Sequence, residues 1–175
     1  MSCELQSSSS GGVRGVLTLR REELLFDIAN NCYVEGSVMT GEESGQRHTV
    51  QDVIEGENGE IVSRELDLNV ARCREMLYAY TKRPVEEATQ DNVLKEPGLY
   101  GIVMDLPEDF SQTTFNLIGR LVHRYLVCRC VAEWMSESCP EKYDKWRMKW
   151  EEAESEIERN LNVRRGKVRR RMHPF

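Results

Sequence analysis

Two long stretches of helical periodicity in the carboxyl-terminal half constrain the fold of this 175-residue chain more than any other feature. Apolar residues recur every three or four positions over residues 111–135 and again over residues 140–161, which predicts two amphipathic helices. The break between them is short, so we expect the second helix to lie antiparallel beside the first. The predicted buried stripes are Thr114, Leu117, Ile118, Leu121, Tyr125, Cys128 and Ala132 in the first helix, and Tyr143, Trp146, Trp150, Ala153, Ile157 and Leu161 in the second.

Signals for helix ends and turns lie around these stretches. A helix over residues 18–34 has Thr18 at its cap, and residues 61–80 show a strong amphipathic pattern. Between them we expect a short helix followed by a turn at Asn58-Gly59, a pair that favours tight turns. Ser138 fits a capping box at the start of the last helix.

Together these patterns predict a mainly α protein. Residues 17–162 are expected to form an antiparallel helical bundle that ends in a long carboxyl-terminal helical hairpin. The apolar stretch LYGIVMDLP at residues 99–107 fits either a short strand or an extended plug. Residues 1–16, rich in Ser and Gly, predict a flexible amino-terminal arm, and residues 163–175 form a separate basic tail.

Charge is distributed unevenly along the chain. Residues 164–175 contain six Arg or Lys and no acid, so removing them from a net charge of −6 leaves −12 on residues 1–163. A dense patch of one sign stays solvated and attracts an opposite surface. Arg120, His123 and Arg124, together with Arg129, are predicted to form a second, smaller basic strip, which fits a solvated face or pairing with glutamates.

The reactive residue types do not form a pattern that carries catalysis. Cys128 and Cys130 resemble a metal-binding pair, but residues two apart on a helix point about 200° away from each other. With no apolar leader and no run of roughly 18 apolar residues, we expect reduced thiols that fill helix interfaces, in a cytoplasmic protein that does not enter a membrane. The sequence therefore predicts no enzyme, cofactor or metal site.

The basic tail is the predicted binding site, because a hydrophobic core gains nothing from its charges. It fits neutralisation of nucleic-acid phosphates. It fits equally an acidic groove on another subunit, with the terminal aromatic ring in a pocket. The remaining alternative is a basic end without a role. The partner-binding residues are Arg164, Arg165, Lys167, Arg169, Arg170, Arg171 and Phe175.

The stretch LDLNVARCREMLYAYTKR at residues 66–83 resembles the small helical head-to-tail connector or ring proteins of tailed bacteriophages. Its ending is similar to the YTGR of some connectors, with Lys82 in place of the glycine. The terminal RRRMHPF looks like phage or prophage proteins of gut Bacteroidetes. This resemblance implies a virion component, in which a helical body sits in an oligomeric ring and its termini contact neighbouring subunits.

Two functional hypotheses follow. In the first, the chain is a structural assembly protein that binds copies of itself and other structural proteins. In the second, it is a nucleic-acid-binding accessory protein that uses its basic tail. A small enzyme with a pocket around residues 99–110 is a third reading, and it predicts no substrate.

Deletion of residues 164–175 tests whether the tail binds a partner or has no role. The helical body is expected to keep its circular dichroism spectrum, since the tail adds nothing to a core, while incorporation into the oligomer is lost. Unchanged assembly after the deletion, measured by sedimentation velocity, would count against a role for the tail.

Overall fold

The computed structural model of the protein describes residues 2–7, 13–39, 45–77, 81, 97–108 and 110–162. Within them the chain forms five helices and a three-stranded sheet, so the prediction of a mainly α protein is confirmed and the sheet is an addition to it. In chain order the elements are β1 (Ser2–Ser7), β2 (Val13–Arg20), α1 (Arg21–Ser37), α2 (Arg47–Gln51), α3 (Glu57–Met76), β3 (Leu99–Leu106), α4 (Gln112–Ser138) and α5 (Pro140–Asn162).

The sheet has β2 at its centre, with β1 and β3 antiparallel on either side. Because side chains alternate across a strand, each strand turns one face towards the helices. Leu17 on β2 pairs with Ile102 on β3, and both are buried, whereas their neighbours along each strand are more exposed. The apolar stretch at residues 99–107 is therefore a strand, one of its two predicted forms.

The amino-terminal region differs from the flexible arm expected over residues 1–16. Ser2–Ser7 and Val13–Arg20 are paired strands, and Cys3 and Leu5 pack against the core. The high content of Ser and Gly concealed an alternation of apolar residues that places them on one face of the sheet. Thr18 consequently lies within β2, and the cap of α1 is Arg20, two residues later than predicted.

The turn predicted at Asn58-Gly59 is wrong, because these two residues lie in the first turn of α3. The chain instead turns just before, where Gly56 has a positive φ of 54°, a conformation that glycine adopts without steric cost. The Asn58 side-chain amide donates to the Asp52 carbonyl oxygen at 3.0 Å and links α3 to the preceding turn.

Helix α4 lies at the centre of the molecule and contacts α1, α2, α3, α5, β1 and β2. Nearly every position from Tyr125 to Ala132 is buried, so this part of the helix is covered on several sides rather than along one stripe. Of its predicted stripe, Leu117 is wrong: this side chain is exposed, and Phe115 is buried against the sheet instead. A prediction that only one face of a helix is buried fails when neighbouring elements cover several of its faces.

The chain reverses at Cys139, and α5 runs back along α4. The rings of Tyr125 and Trp150 meet edge to face with centroids 6.2 Å apart, and Arg124 pairs with Glu152 at 3.0 Å. The predicted apolar seam of α5 is confirmed, with all six members buried or partly buried against the core.

The predicted capping box at this reversal is wrong. Ser138 is the last residue of α4, and its hydroxyl donates to the carbonyl oxygen of Trp134 at 2.8 Å. This bond to the preceding turn leaves the hydroxyl committed to α4 rather than to the start of α5. Pro140 nevertheless occupies the first position of α5, where its missing N–H has no partner to lose.

All six cysteines are unpaired thiols, and five of them are buried. Burial raises the pKa of Cys32, Cys73 and Cys130 to about 12, so these thiols stay protonated near neutral pH. They fill spaces between helices, as the sequence predicts.

The contact between β2 and α4 predicts the effect of a single methyl group. A Cβ at Gly15 would lie 2.6 Å from the ring of Phe115, whereas a Cβ at Gly101 has nothing within 4 Å. We expect Gly15→Ala to lower the free energy of unfolding in urea by about 1–3 kcal/mol through overpacking. Gly101→Ala, the matched control on the neighbouring strand, should leave it within about 0.5 kcal/mol.

A second substitution tests whether the contact with the Phe115 ring causes this loss. In the double variant Gly15→Ala/Phe115→Leu, the loss should be smaller than the sum of the two single losses, because the shorter side chain vacates the space that the methyl group needs. Additive losses would show that the ring contact is not responsible.

Candidate functional site

The predicted partner-binding residues of the tail all lie outside the described residues, which end at Asn162. Docking of the tail, and insertion of Phe175 into a pocket, therefore stay predictions. The described residues define the surfaces that such a tail would meet, and three of these have distinctive chemistry.

The first surface is a cleft between α3 and α4 with a volume of about 90 Å³, which we call the acidic cleft. Its floor is apolar and buried, formed by Val62, Cys130 and Trp134. Three carboxylates surround this floor, and Ile61, about half exposed, forms one wall. The residues that line the acidic cleft are Ile61, Val62, Glu65, Cys130, Glu133, Trp134 and Glu137.

Hydrogen bonds hold the floor of the acidic cleft in place. The indole N–H of Trp134 donates to the Val50 carbonyl oxygen at 3.2 Å, and the Asn69 amide lies 3.4 Å from the Cys130 sulfur. Without these bonds, the buried polar groups would be unpaired and would lower the stability of the fold. The floor is therefore fixed before any partner binds.

The carboxylates of the acidic cleft are poorly neutralised. Glu65 lies 3.7 Å from Arg72, but Glu133 and Glu137 have no ion-pair partner among the residues that the structure describes. Glu133 and Glu137 are four apart on α4, on the same side, where like charges repel by a few tenths of a kcal/mol, about 0.2–0.5. The cleft thus presents uncompensated negative charge above an apolar floor.

The second surface is a groove of about 330 Å³ between α1, α4 and α5. Its basic residues are mostly paired: His123 lies 2.7 Å from Asp27, and Arg124 is bound to Glu152. Lys149 instead stacks over the Trp146 ring, 3.5 Å from its centroid, and burial lowers the pKa of its ammonium group. The predicted basic strip is thus largely neutralised by neighbouring acids.

The third surface is an apolar stripe on the outer side of α1, which we call the α1 stripe. Its members, with their exposed fractions, are Phe26 (69%), Tyr33 (60%), Val34 (51%) and Val38 (62%). Phe26 and Tyr33 lie seven residues apart, two helical turns, on the side opposite the buried Leu24 and Ile28. Helix α1 therefore carries apolar side chains on both sides.

An ion-pair cluster fixes the end of α1 that carries most of this stripe. Glu35 is buried and accepts hydrogen bonds from Lys145 and, through its backbone carbonyl, from Lys142 at 3.0 Å. Burial alone would raise the pKa of Glu35, but the hydrogen bonds and charges of the two lysines hold it below its ordinary value. The cluster joins α1 to the first turns of α5.

Sequence reasoning missed both the α1 stripe and the acidic cleft. A signal for the stripe was available, since Phe26 and Tyr33 share a helical face that is not the face of Leu24 and Ile28. No local signal marks the cleft, because residues more than sixty positions apart meet there only in the folded chain.

No protein-family model, curated protein or solved structure matches this chain. In the part of the chain that the structure describes, no helix is long and apolar enough to cross a bilayer. Within the same residues, no three His, Cys, Asp or Glu side chains are grouped so that they could hold a metal ion.

The Glu35 cluster predicts a defined pH dependence. Because the folded-state pKa of Glu35 is depressed, its stabilisation is present above the unfolded value of about 4.3 and is lost as the pH falls through the folded value. We expect Glu35→Gln to lower the free energy of unfolding at pH 7 by about 1–3 kcal/mol. The difference from the unsubstituted protein should shrink in acid.

Urea unfolding at pH 7 and at about pH 3.5, below the ordinary glutamate pKa, measures this difference. Glu60→Gln is the control, since Glu60 forms an exposed pair with Arg64 that is worth at most about 1 kcal/mol. An equal loss for Glu35→Gln at both pH values would contradict a role for the charge of Glu35.

Proposed function

We propose that this protein is a non-enzymatic structural assembly protein whose copies associate through the α1 stripe and the basic tail. The α1 stripe is the observation that carries the proposal. A helix that packs one face on a core normally presents polar side chains on the other. Four large apolar residues exposed over about 18 Å of α1 and its carboxyl-terminal cap instead indicate a protein interface.

The charge of the chain supports a second copy as the occupant of this interface. A body of net charge −12 repels other acidic proteins, but the six cations of the tail make each copy complementary to the body of the next. Contacts of this kind close into a symmetric dimer when they are reciprocal and into a ring when they run head to tail. The chain therefore carries both halves of the contact.

A head-to-tail connector or ring of a phage-like particle is the specific assembly that we propose. The resemblance of residues 66–83 to connector proteins supports it, and α3 contains the first eleven of these residues. The finer architecture, an antiparallel bundle built on the α4–α5 hairpin with termini that contact neighbours, belongs to the same proposal. In such a particle the protein is a virion component that performs no turnover.

The α1 stripe gives a direct test of assembly. Phe26→Glu/Tyr33→Glu places two charges on the stripe, so burying it against a second copy would cost several kcal/mol. We expect the concentration at half-association, measured by sedimentation velocity, to rise at least tenfold, which corresponds to about 1.4 kcal/mol. Circular dichroism should not change, because both side chains are exposed.

Met148→Glu is the control for one added charge and is compared with Phe26→Glu alone, since Met148 on α5 is 61% exposed but stands alone among charged neighbours. It should associate as the unsubstituted chain does. A chain that stays monomeric at all concentrations, or a stripe variant that associates normally, would refute the proposed function.

A further inference from the structure

We propose that the acidic cleft binds arginines from the basic tail of a second copy, so that copies are joined from the carboxyl end of one to the α3–α4 side of the next. This inference rests on the proposed function, since it presupposes that copies associate. It adds the receiving site, the inserted group and the direction of the contact.

The chemistry of the acidic cleft matches an arginine side chain. The apolar floor of Val62, Cys130 and Trp134 can cover the aliphatic stem, while the charged head stays at the rim. Carboxylates at the rim accept paired N–H bonds from a guanidinium group, a geometry that an ammonium group does not offer. Five of the six cations of the tail are arginines.

The size of the acidic cleft selects among the groups of the tail. A volume of about 90 Å³ corresponds to about three water molecules of ~30 Å³ each. It is smaller than the ~150 Å³ cavity that holds a benzene molecule, so the ring of Phe175 does not enter it whole. Only part of a side chain enters the cleft, which suits the narrow aliphatic stem of an arginine better than an aromatic ring.

The two unpaired carboxylates of α4 supply a driving force. Glu133 and Glu137 repel each other in the free protein, and a cation placed between them converts this repulsion into two attractions. The neighbouring Glu65 is already close to Arg72, so the uncompensated charge is concentrated on the α4 side of the cleft.

The length of the tail decides between docking on its own chain and docking on another. The Arg124–Glu152 ion pair aligns α4 with α5. Asn162 lies ten residues beyond Glu152 in one direction, and Glu133 and Glu137 lie nine and thirteen residues beyond Arg124 in the other. At 1.5 Å per helical residue, about 29–35 Å separates the start of the tail from these carboxylates.

The first three cations of the tail cannot reach across this distance. At about 3.3 Å per extended residue, Arg164 lies at most ~7 Å from Asn162 and Lys167 at most ~17 Å. Only Arg169–Arg171 approach the required span, and then only along a straight, fully extended path of ~23–30 Å.

That straight path is blocked by α4 itself. At 100° per residue, Glu133, Trp134 and Glu137 point roughly 130° around α4 from Tyr125 and Cys128, the residues that face α5. A tail that leaves α5 must therefore also travel around α4 to reach the cleft of its own chain. Neither the length of the tail nor the path around α4 restricts docking in a second copy. We therefore assign the tail of one copy to the cleft of another.

The experiment measures binding of a fluorescent peptide of residues 163–175 by anisotropy. The receiving protein is the full chain with each of the six cations of the tail replaced by Gln (Arg164, Arg165, Lys167, Arg169, Arg170 and Arg171), so that the tails of the receiving copies do not compete. We expect binding that weakens at least tenfold when Glu133→Lys/Glu137→Lys is added, and a smaller loss with the neutral pair Glu133→Gln/Glu137→Gln. Circular dichroism verifies that each variant is folded.

Glu75→Lys/Glu158→Lys is the charge-matched control, because both residues are exposed and have no ion-pair partner among the described residues. It changes the net charge equally but lies away from the cleft, so binding should change less than threefold. Equal weakening by the control and the cleft variant would reduce the contact to general charge attraction and overturn the inference.

Mixing tests the direction of the contact. The glutamine-substituted tail variant retains an intact cleft, and the full-length Glu133→Lys/Glu137→Lys variant retains an intact tail. An equimolar mixture should form a heteromeric complex that neither chain forms as well alone. No gain on mixing would contradict docking between copies.

Two outcomes separate the inference from the proposed function. If the full chain associates but the peptide does not depend on the cleft, the acidic cleft is not the receiving site and assembly still stands. If the chain stays monomeric and its tail instead retains duplex DNA with an affinity that falls steeply with salt, both proposals are replaced by nucleic-acid binding.

Discussion

Burial of the central part of α4, from Tyr125 to Ala132, is the interaction on which the rest of the structure depends. The sheet, α1 and α3 come from the amino-terminal and central parts of the chain and pack against α4. Helix α5 packs along another side of α4. Because α5 is aligned against α4 by the Tyr125–Trp150 and Arg124–Glu152 contacts, the end of α5 and the acidic cleft lie at opposite ends of α4. A packing constraint thus sets the spacing of the charged surfaces.

The proposed function rests on this spacing of charge. A basic tail beside an acidic cleft would satisfy both within one chain, and the protein would be complete as a monomer. Separation by about 29–35 Å is the reason for proposing that the tail of one copy docks in the cleft of another. The α1 stripe adds apolar area that charge alone does not supply, and Glu35 holds the helix that presents it.

The local patterns of the sequence predicted the long helices well, because an apolar seam such as that of α5 is set by residues three and four apart. They failed where tertiary contacts decide. Leu117 fits a helical stripe but is exposed, since the neighbouring Phe115 is the residue that the sheet covers. Cys3 and Leu5 form a strand only because β2 is available to pair with them. The acidic cleft combines residues of α3 and α4 that no local pattern relates.

The native mass of the full-length chain, measured by light scattering before and after nuclease treatment, tests the central claim most directly. Self-association through complementary protein surfaces predicts a mass of several chains that increases with protein concentration and is unchanged by nuclease. A mass of 20.3 kDa at every concentration, or a larger mass that collapses to this value after nuclease, would contradict it.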